Sequence, residues 1–353
     1  MTDLLAATVD LMAMPSVSGE EAQIAAAVQK VLAGCPWLEV ERVGDNVVAR
    51  TSLGREHRLV LAGHLDTVPP GTSAEPLING DTVWGVGASD MKGGLAVMLD
   101  LATAVPEPAV DVTWCFYARE EISRNLSGLF ELWEWRPELL AGDAAILGEP
   151  TLGLVEAGCQ GTMRVQITLG GVRAHTARPF TGRNAIHRLA PLLHRVADWP
   201  PREVVLDGCT YTEQLQVVSV EGGVAANVVP DEARVTLNHR YAPDRTEVEA
   251  HAFLHELLDP LLELDDGDTW ELLDAGDGAP PSLDHPLLRS LVEKSGAAPK
   301  AKVGWTDVAS FWAHGVPAAN FGPGDPLLAH HPDERVTRPQ LERVREVLAA
   351  LLT

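Results

Sequence analysis

His64 and Asp66 stand two residues apart at the end of the apolar run Leu59-Val60-Leu61-Ala62-Gly63. On an extended chain that spacing puts both side chains on one face. An aspartate so placed can accept the ring N–H of the histidine, fix its tautomer and leave the other nitrogen for a metal. A second cluster, Gly85-Val86-Gly87-Ala88-Ser89-Asp90-Met91-Lys92-Gly93-Gly94, is glycine-rich and carries one carboxylate. A phosphate loop would end in Lys-Ser/Thr and a dinucleotide fingerprint would have glycine where Asp90 stands, so neither fits. A third run, Trp114-Cys115-Phe116-Tyr117-Ala118-Arg119, emerges into Glu120-Glu121. Adjacent residues on extended backbone point opposite ways, so one carboxylate can meet a metal while its neighbour faces substrate. Glu149 follows Ala144-Ala145-Ile146-Leu147-Gly148, and His330-His331-Pro332-Asp333-Glu334 adds imidazoles near the C-terminus. Imidazoles with several carboxylates form a mixed N/O donor set suited to zinc or a similar divalent ion. Two such ions can share a bridging carboxylate and activate one water.

These groups need rigid elements to aim them. The first 35 residues read as helix, broken at Pro15-Ser16-Val17-Ser18-Gly19 and resuming over Glu20 to Leu32. Strand-length apolar runs at Asn46–Ala49, Arg58–Ala62 and Val112–Tyr117 alternate with helical stretches such as Gly93 to Ala104. Such alternation predicts an α/β sheet covered on both faces, with its chemistry in the loops after the strands. From about residue 163 the texture changes: Met163 to Leu169 alternates with period two. The order is then strand, helix (Asn184 to Asp198), strands (Leu215 to Val220 and Ala233 to Tyr241), helix (Arg245 to Leu258) and strand (Thr269 to Leu273). That is a small α+β layer. The division this predicts is a first domain of residues 1–162 and 278–353, with residues 163–277 inserted as a second.

Composition narrows the chemistry. Among 353 residues, 50 acidic against 27 basic give a formal charge of −23, which repels a phosphate backbone and an anionic membrane surface alike. Nucleic acid and membrane are therefore not expected partners. No apolar run reaches the roughly 18–20 residues of a membrane span, and Met1 to Leu5 lacks the basic start of a secretory signal. Four scattered cysteines without a CxxC argue against a disulfide framework or thiolate zinc site. A cytoplasmic protein is the expectation.

Taken together, Gly63-His64-Leu65-Asp66-Thr67-Val68-Pro69, Gly87 to Gly94, Glu120-Glu121, Gly148-Glu149-Pro150 and His330 to Glu334 resemble the M20 family of dinuclear zinc peptidases and deacylases. The five blocks occur in the family's order along essentially the whole chain, with Ile122 where many members carry glycine. The resemblance implies a zinc-peptidase-like catalytic domain, a mixed sheet flanked by helices, and an inserted ferredoxin-like lid and dimerisation domain. It implies that Asp90 bridges two zinc ions (cobalt being possible in one site), with His64 and Glu149 completing one site and Glu121 and His330 the other. His330 is preferred to His331 because it stands four residues before a glutamate, Glu334. Glu120 becomes the general base and acid, Asp66 the partner of the His64 ring, and the Asp90–Met91 peptide is cis.

In the inserted segment, Gly170-Gly171-Val172-Arg173-Ala174-His175 resembles the motif whose histidine reaches the other subunit's active site. Gly222 to Pro230 and Asn238-His239-Arg240-Tyr241 resemble the lid's substrate-carboxylate region. Asn227, Arg240 and Arg178 are its expected contacts, arginine being suited to bidentate capture of carboxylates. Gly324, in Gly322-Pro323-Gly324-Asp325, resembles a loop lining the substrate pocket. The implied reaction is zinc-dependent amide hydrolysis of a small N-acyl amino acid by a homodimer. Within the family the resemblance is to the branch acting on N-succinyl-LL-2,6-diaminopimelate in lysine biosynthesis. Acetylornithine deacetylase and M20 carboxypeptidases or dipeptidases share the metal core and stay open. From other classes, a non-catalytic metal-binding module stays open too, while Asp90 in the glycine loop disfavours a dinucleotide enzyme.

Overall fold

The computed structural model describes residues 3–71 and 75–353; Met1 and Thr2 of the N-terminal reading lie outside them. The chain divides into two units. The first comprises residues 1–158, 281–300 and 307–353, and the second 159–280 and 301–306. Residues 301–306 thus cluster with the second unit, whereas the sequence division leaves them in the first.

The first unit is built on an eight-stranded mixed sheet. Its strands include β1 (Glu39–Val43), β2 (Asn46–Arg50), β3 (Arg58–His64), β4 (Asp111–Tyr117) and β5 (Ala144–Leu147). The order runs β1-β2-β4-β3-β5 and continues through Ala318–Asn320. β3 pairs in parallel with both β4 and β5, and His64 lies opposite Tyr117. Every residue of β4 is buried, as expected of a strand covered on both faces. Helices α1 (Leu4–Met12), α2 (Ala22–Ala33), α3 (Gly93–Ala104) and α4 (Gly128–Trp135) belong to this unit, with the C-terminal helix Arg338–Leu352. Asp3 caps α1 by accepting from the N–H groups of Leu5 and Ala6. The continuous core joins Leu4, Ile24, Leu59, Leu61, Leu95, Trp114, Ile146, Phe321 and Leu341. Because the central strands run parallel, their C-terminal ends open on one side, where such sheets place ligands.

The second unit carries a four-stranded antiparallel sheet of β6 (Gly161–Gly170), β7 (Gln214–Gly222), β8 (Glu232–Tyr241) and β9 (Thr269–Gly276), in the order β7-β8-β6-β9. Helices α5 (Ala185–Ala197) and α6 (Glu247–Leu258) complete the strand-helix-strand-strand-helix-strand order expected of a ferredoxin-like layer. Met163, Val165, Ile167 and Leu169 alternate into its core and meet Leu189, Val235, Leu237 and Leu254. A capping box of Thr246 and Glu249 starts α6. All four cysteines are buried thiols. Among the described residues no helix is long and apolar enough to cross a membrane.

Candidate metal centre

The three parallel strand ends bring the sequence-predicted groups together. β3 ends in His64, which is 1% exposed, and β5 leads through Gly148 to Glu149 at 6%. Asp90 sits in the turn between Gly87 and α3, and its peptide bond to Met91 is cis. Glu120 and Glu121 follow β4, and His330 comes from the loop after Pro326–Leu328 with a left-handed backbone (φ 61°).

Asp90 lies between two imidazoles. Its Oδ1 is 3.0 Å from His64 Nε2 and its Oδ2 is 3.6 Å from His330 Nε2. His330 Nε2 is also 2.8 Å from Glu121 Oε1. Two triads, His64–Asp90–Glu149 and Asp90–Glu121–His330, each bring one ligand atom per residue within 4.8 Å of the others. A third, His64–Glu120–Glu121, meets the same criterion. Donors about 2.0–2.2 Å from one tetrahedral ion stand roughly 3.3–3.6 Å apart, and the imidazole–carboxylate separations here run from 2.8 to 3.6 Å. The two oxygens of Asp90 each face a different histidine, the arrangement a carboxylate shared by two cations requires. The residues therefore fit a pair of divalent ions.

The electrostatics agree. Burial opposes charge on His64, yet hydrogen bonds to Asp66 and Asp90 and the charges of both outweigh it and hold the imidazole well above its ordinary range. The hydrogen bond that its ring donates to Glu121 pushes His330 up to about 9. Burial, with the charges of Glu149, Asp307 and Glu121, pushes the Glu120 carboxyl well above the ordinary glutamate range against the pull of His64. A pocket that raises two histidines and a glutamate together carries excess negative charge and favours added cations.

Asp66 does more than the sequence reading assigned to it. Its carboxylate stands 3.5 Å from His64 Nδ1, but that nitrogen is closer to the Asp66 backbone oxygen, at 3.0 Å. The carboxylate also accepts from the N–H groups of Glu120 (3.0 Å) and Glu121 (3.1 Å) and from Ser18 Oγ (2.7 Å). Burial opposes ionisation, but His64, Ser18 and the Glu120 N–H hold its pKa at about 2. Glu334, 1% exposed, takes the N–H groups of Ser89 (2.9 Å) and Asp90 (3.0 Å) on one oxygen and so fixes the turn that carries Asp90. Ser18 and the amide-holding role of Glu334 were not foreseen from sequence.

A glycine-lined floor supports the cluster. A Cβ on Gly63 would come within 2.5 Å of Met91 Cε, and one on Gly148 within 2.8 Å of the same atom. Gly324 has φ +83° and would press a Cβ to 2.6 Å from Ser89 Oγ, beside Asp90.

The other expected residues lie in the second unit. His175, exposed, pairs with Val228 in a short antiparallel bridge, and its Nδ1 accepts from the N–H of Ala177. The N–H of Thr176 bonds the carbonyl of Asn227, and that of Arg178 the carbonyl of His175, so His175, Arg178 and Asn227 form one surface neighbourhood. Arg240 is half-buried on β8, its Nε donating to Asn238 Oδ1 at 3.2 Å.

The profile of Peptidase family M20/M25/M40 matches residues 60–353. The chain is 43% identical over 358 residues to the succinyl-diaminopimelate desuccinylase of Corynebacterium glutamicum, covering 99% of this chain and 96% of that protein. It is 48% identical over 336 residues to a Mycobacterium tuberculosis protein provisionally named for the same activity, covering 95% and 92%. An M20 family metallo-carboxypeptidase of Sulfolobus solfataricus shares the fold, with a TM-score of 0.80 at 18% identity over 100% of this chain and 99% of that one.

Proposed function

The chain belongs to the M20/M25/M40 peptidase family and is a hydrolase of it, and from that premise we propose that it cleaves N-succinyl-LL-2,6-diaminopimelate with water to succinate and LL-2,6-diaminopimelate, in lysine biosynthesis. The observation that carries the reading is the pair of donor triads sharing Asp90 in a chain 43–48% identical to proteins named for that activity. His64, Asp90 and Glu149 would hold one ion and Asp90, Glu121 and His330 the other. Zinc suits the mixed imidazole and carboxylate donors, and cobalt can replace it in one site. When bound, the ions polarise the scissile carbonyl and lower the pKa of the attacking water.

Glu120 has the chemistry of the proton carrier. Its carboxylate takes a proton from the attacking water and returns it to the departing amine nitrogen. Asp66 keeps Glu120 aimed through the backbone N–H it accepts, and holds Glu121 by the next one. The second unit serves as lid and dimerisation domain in this reading. In a homodimer His175 of one copy, with its Nδ1 accepting from Ala177 and its Nε2 therefore the protonated nitrogen, would donate to the developing oxyanion of the other. Arg178, Asn227, Arg240 and Gly324 would contact substrate, the arginines suiting its carboxylates. The place of action is the cytoplasm, with neither nucleic acid nor membrane as partner.

The test is a product assay of the purified, zinc-loaded protein. Succinate released from the succinylated substrate, abolished by EDTA and restored by zinc, supports the reading. Release of acetate from acetylornithine or of free amino acids from dipeptides, without succinate, would replace it with another M20 activity.

A further inference from the structure

Four consecutive backbone N–H groups, from Ala118 to Glu121, donate to side-chain oxygens rather than to other backbone. Ala118 donates to Asn46 Oδ1 at 3.0 Å and Arg119 to Glu21 Oε1 at 3.0 Å. Glu120 and Glu121 donate to the two oxygens of Asp66 at 3.0 and 3.1 Å. The three acceptors come from three separate stretches of chain, and each is 0% exposed. Asp66 belongs to the site already described, but Glu21 and Asn46 do not.

Glu21 is the more telling of the two. It occupies the N-cap position of α2, where an acidic side chain ordinarily serves the helix's own free amides. Here it makes no such cap. Its Oε1 instead takes the N–H of Arg119 together with that of Gly19 at 2.9 Å. Gly19 adjoins Ser18, whose hydroxyl donates to Asp66. Burying a carboxylate is costly; among the described residues Oε1 takes both amides while Oε2 has no hydrogen-bond partner, a placement that helix initiation does not explain.

The residue it grips is itself unusual. Arg119 has φ 59°, a backbone state that non-glycine residues adopt sparingly. Its guanidinium continues the bracing: Nη2 donates to Glu131 Oε2 at 2.7 Å and Nε to the Leu126 carbonyl at 2.6 Å. Glu131 also takes the amide of Asn46 at 3.0 Å. The peptide planes on either side of Arg119 decide where the next two side chains point.

We propose that Glu21 is a positioning residue for Glu120, its carboxylate fixing the Arg119 amide so that Glu120 and Glu121 diverge at the correct angle. The role rests on the reading of Glu120 as proton carrier. A misplacement of about 1 Å in such a group costs on the order of 10²-fold in rate.

Three variants of the full chain test it: Glu21→Ala, Glu21→Leu, which fills the volume without an acceptor, and Glu21→Gln, which keeps one. The first two should lower kcat 10- to 100-fold while KM stays within about twofold and the chain still binds two zinc ions. Glu21→Gln should stay within about threefold of wild type. Independently of activity, hydrogen exchange of the peptide spanning residues 118–122 should speed at least tenfold in the Ala and Leu variants but not in the Gln variant. Should Glu21→Ala fail to fold, Glu21→Leu carries the comparison. Wild-type kcat and exchange in either would overturn the role, as would an equal loss in Glu21→Gln. A wild-type enzyme that releases no succinate would defeat the proposed function, while the exchange measurement would still decide the role of Glu21.

Discussion

Gly94→Ala puts the rigidity of the metal centre to a quantitative test. Gly94 lies in the first turn of α3, and a Cβ there would stand 2.4 Å from the carbonyl oxygen of Gly148. Contacts below 3.0 Å essentially never occur for a Cβ, so α3 or the β5 exit must shift by at least about 0.6 Å. Gly148 cannot retreat freely. A Cβ on Gly322 would already be 2.2 Å from the same oxygen, and Met91 packs against the Gly148 Cα. The shift therefore falls on Glu149, the next residue. Alanine gains about 1 kcal/mol over glycine within a helix, but overpacking costs about 1–3 kcal/mol, so a net loss of roughly 1 kcal/mol is expected. A displacement beyond about 0.5 Å exceeds what a preorganised site tolerates, and zinc affinity should fall about 10- to 100-fold. Titration of metal-stripped protein against a fluorescent chelator, with a thermal melt, reads both. Gly304→Ala, which meets nothing within 4 Å, is the control. Wild-type zinc affinity in Gly94→Ala would refute the claim that this backbone contact sets the position of Glu149.

Three further outcomes are expected. Glu120→Gln should bind zinc like wild type yet lose about 10²–10⁴-fold in kcat, measured with succinate release; a near wild-type rate would remove Glu120 from proton transfer. Asp66→Asn replaces an acceptor of two backbone amides with a group that can accept at only one oxygen, so it should cost about 1–3 kcal/mol in stability and lower kcat, read by denaturant melts and kinetics. The third concerns the second unit. Glu213 is 0% exposed and its carboxylate is held at about 2 despite burial, by His239, by Arg202 at 2.7 Å and by the Ala242 N–H. A depressed folded-state pKa stabilises above the ordinary 4.5, and that contribution drains away as pH falls toward about 2. Glu213→Gln should therefore lose about 3 kcal/mol at pH 7 but progressively less down to pH 2; a pH-independent difference would contradict the assignment.

What could be read from sequence was short-range or periodic. The spacing of His64 and Asp66, the helix over Gly93–Ala104 and the alternation of Met163 to Leu169 are local patterns, and the structure contains each of them. The convergence of His330 on Glu121, 209 residues earlier, came instead from the resemblance of scattered motifs to one family. The bracing of the Glu120 turn was invisible to both approaches. Glu21 meets Arg119 across 98 residues and Asn46 meets Ala118 across 72. Before folding, Glu21 reads as an ordinary acid opening a helix, and Asn46 as a polar residue at the start of a strand. The carboxylate of Asp66, expected beside the ring two residues away, stands 3.5 Å from its Nδ1 and also accepts from amides 54 and 55 residues on. Nothing local distinguishes an aspartate that orients a histidine from one that anchors a distant turn.

Anomalous diffraction from zinc-loaded crystals tests the dinuclear centre most directly. Two peaks per chain are expected to flank the Asp90 carboxylate, one also touching His64 and Glu149, the other Glu121 and His330. A single peak, or peaks that do not share Asp90, would contradict it.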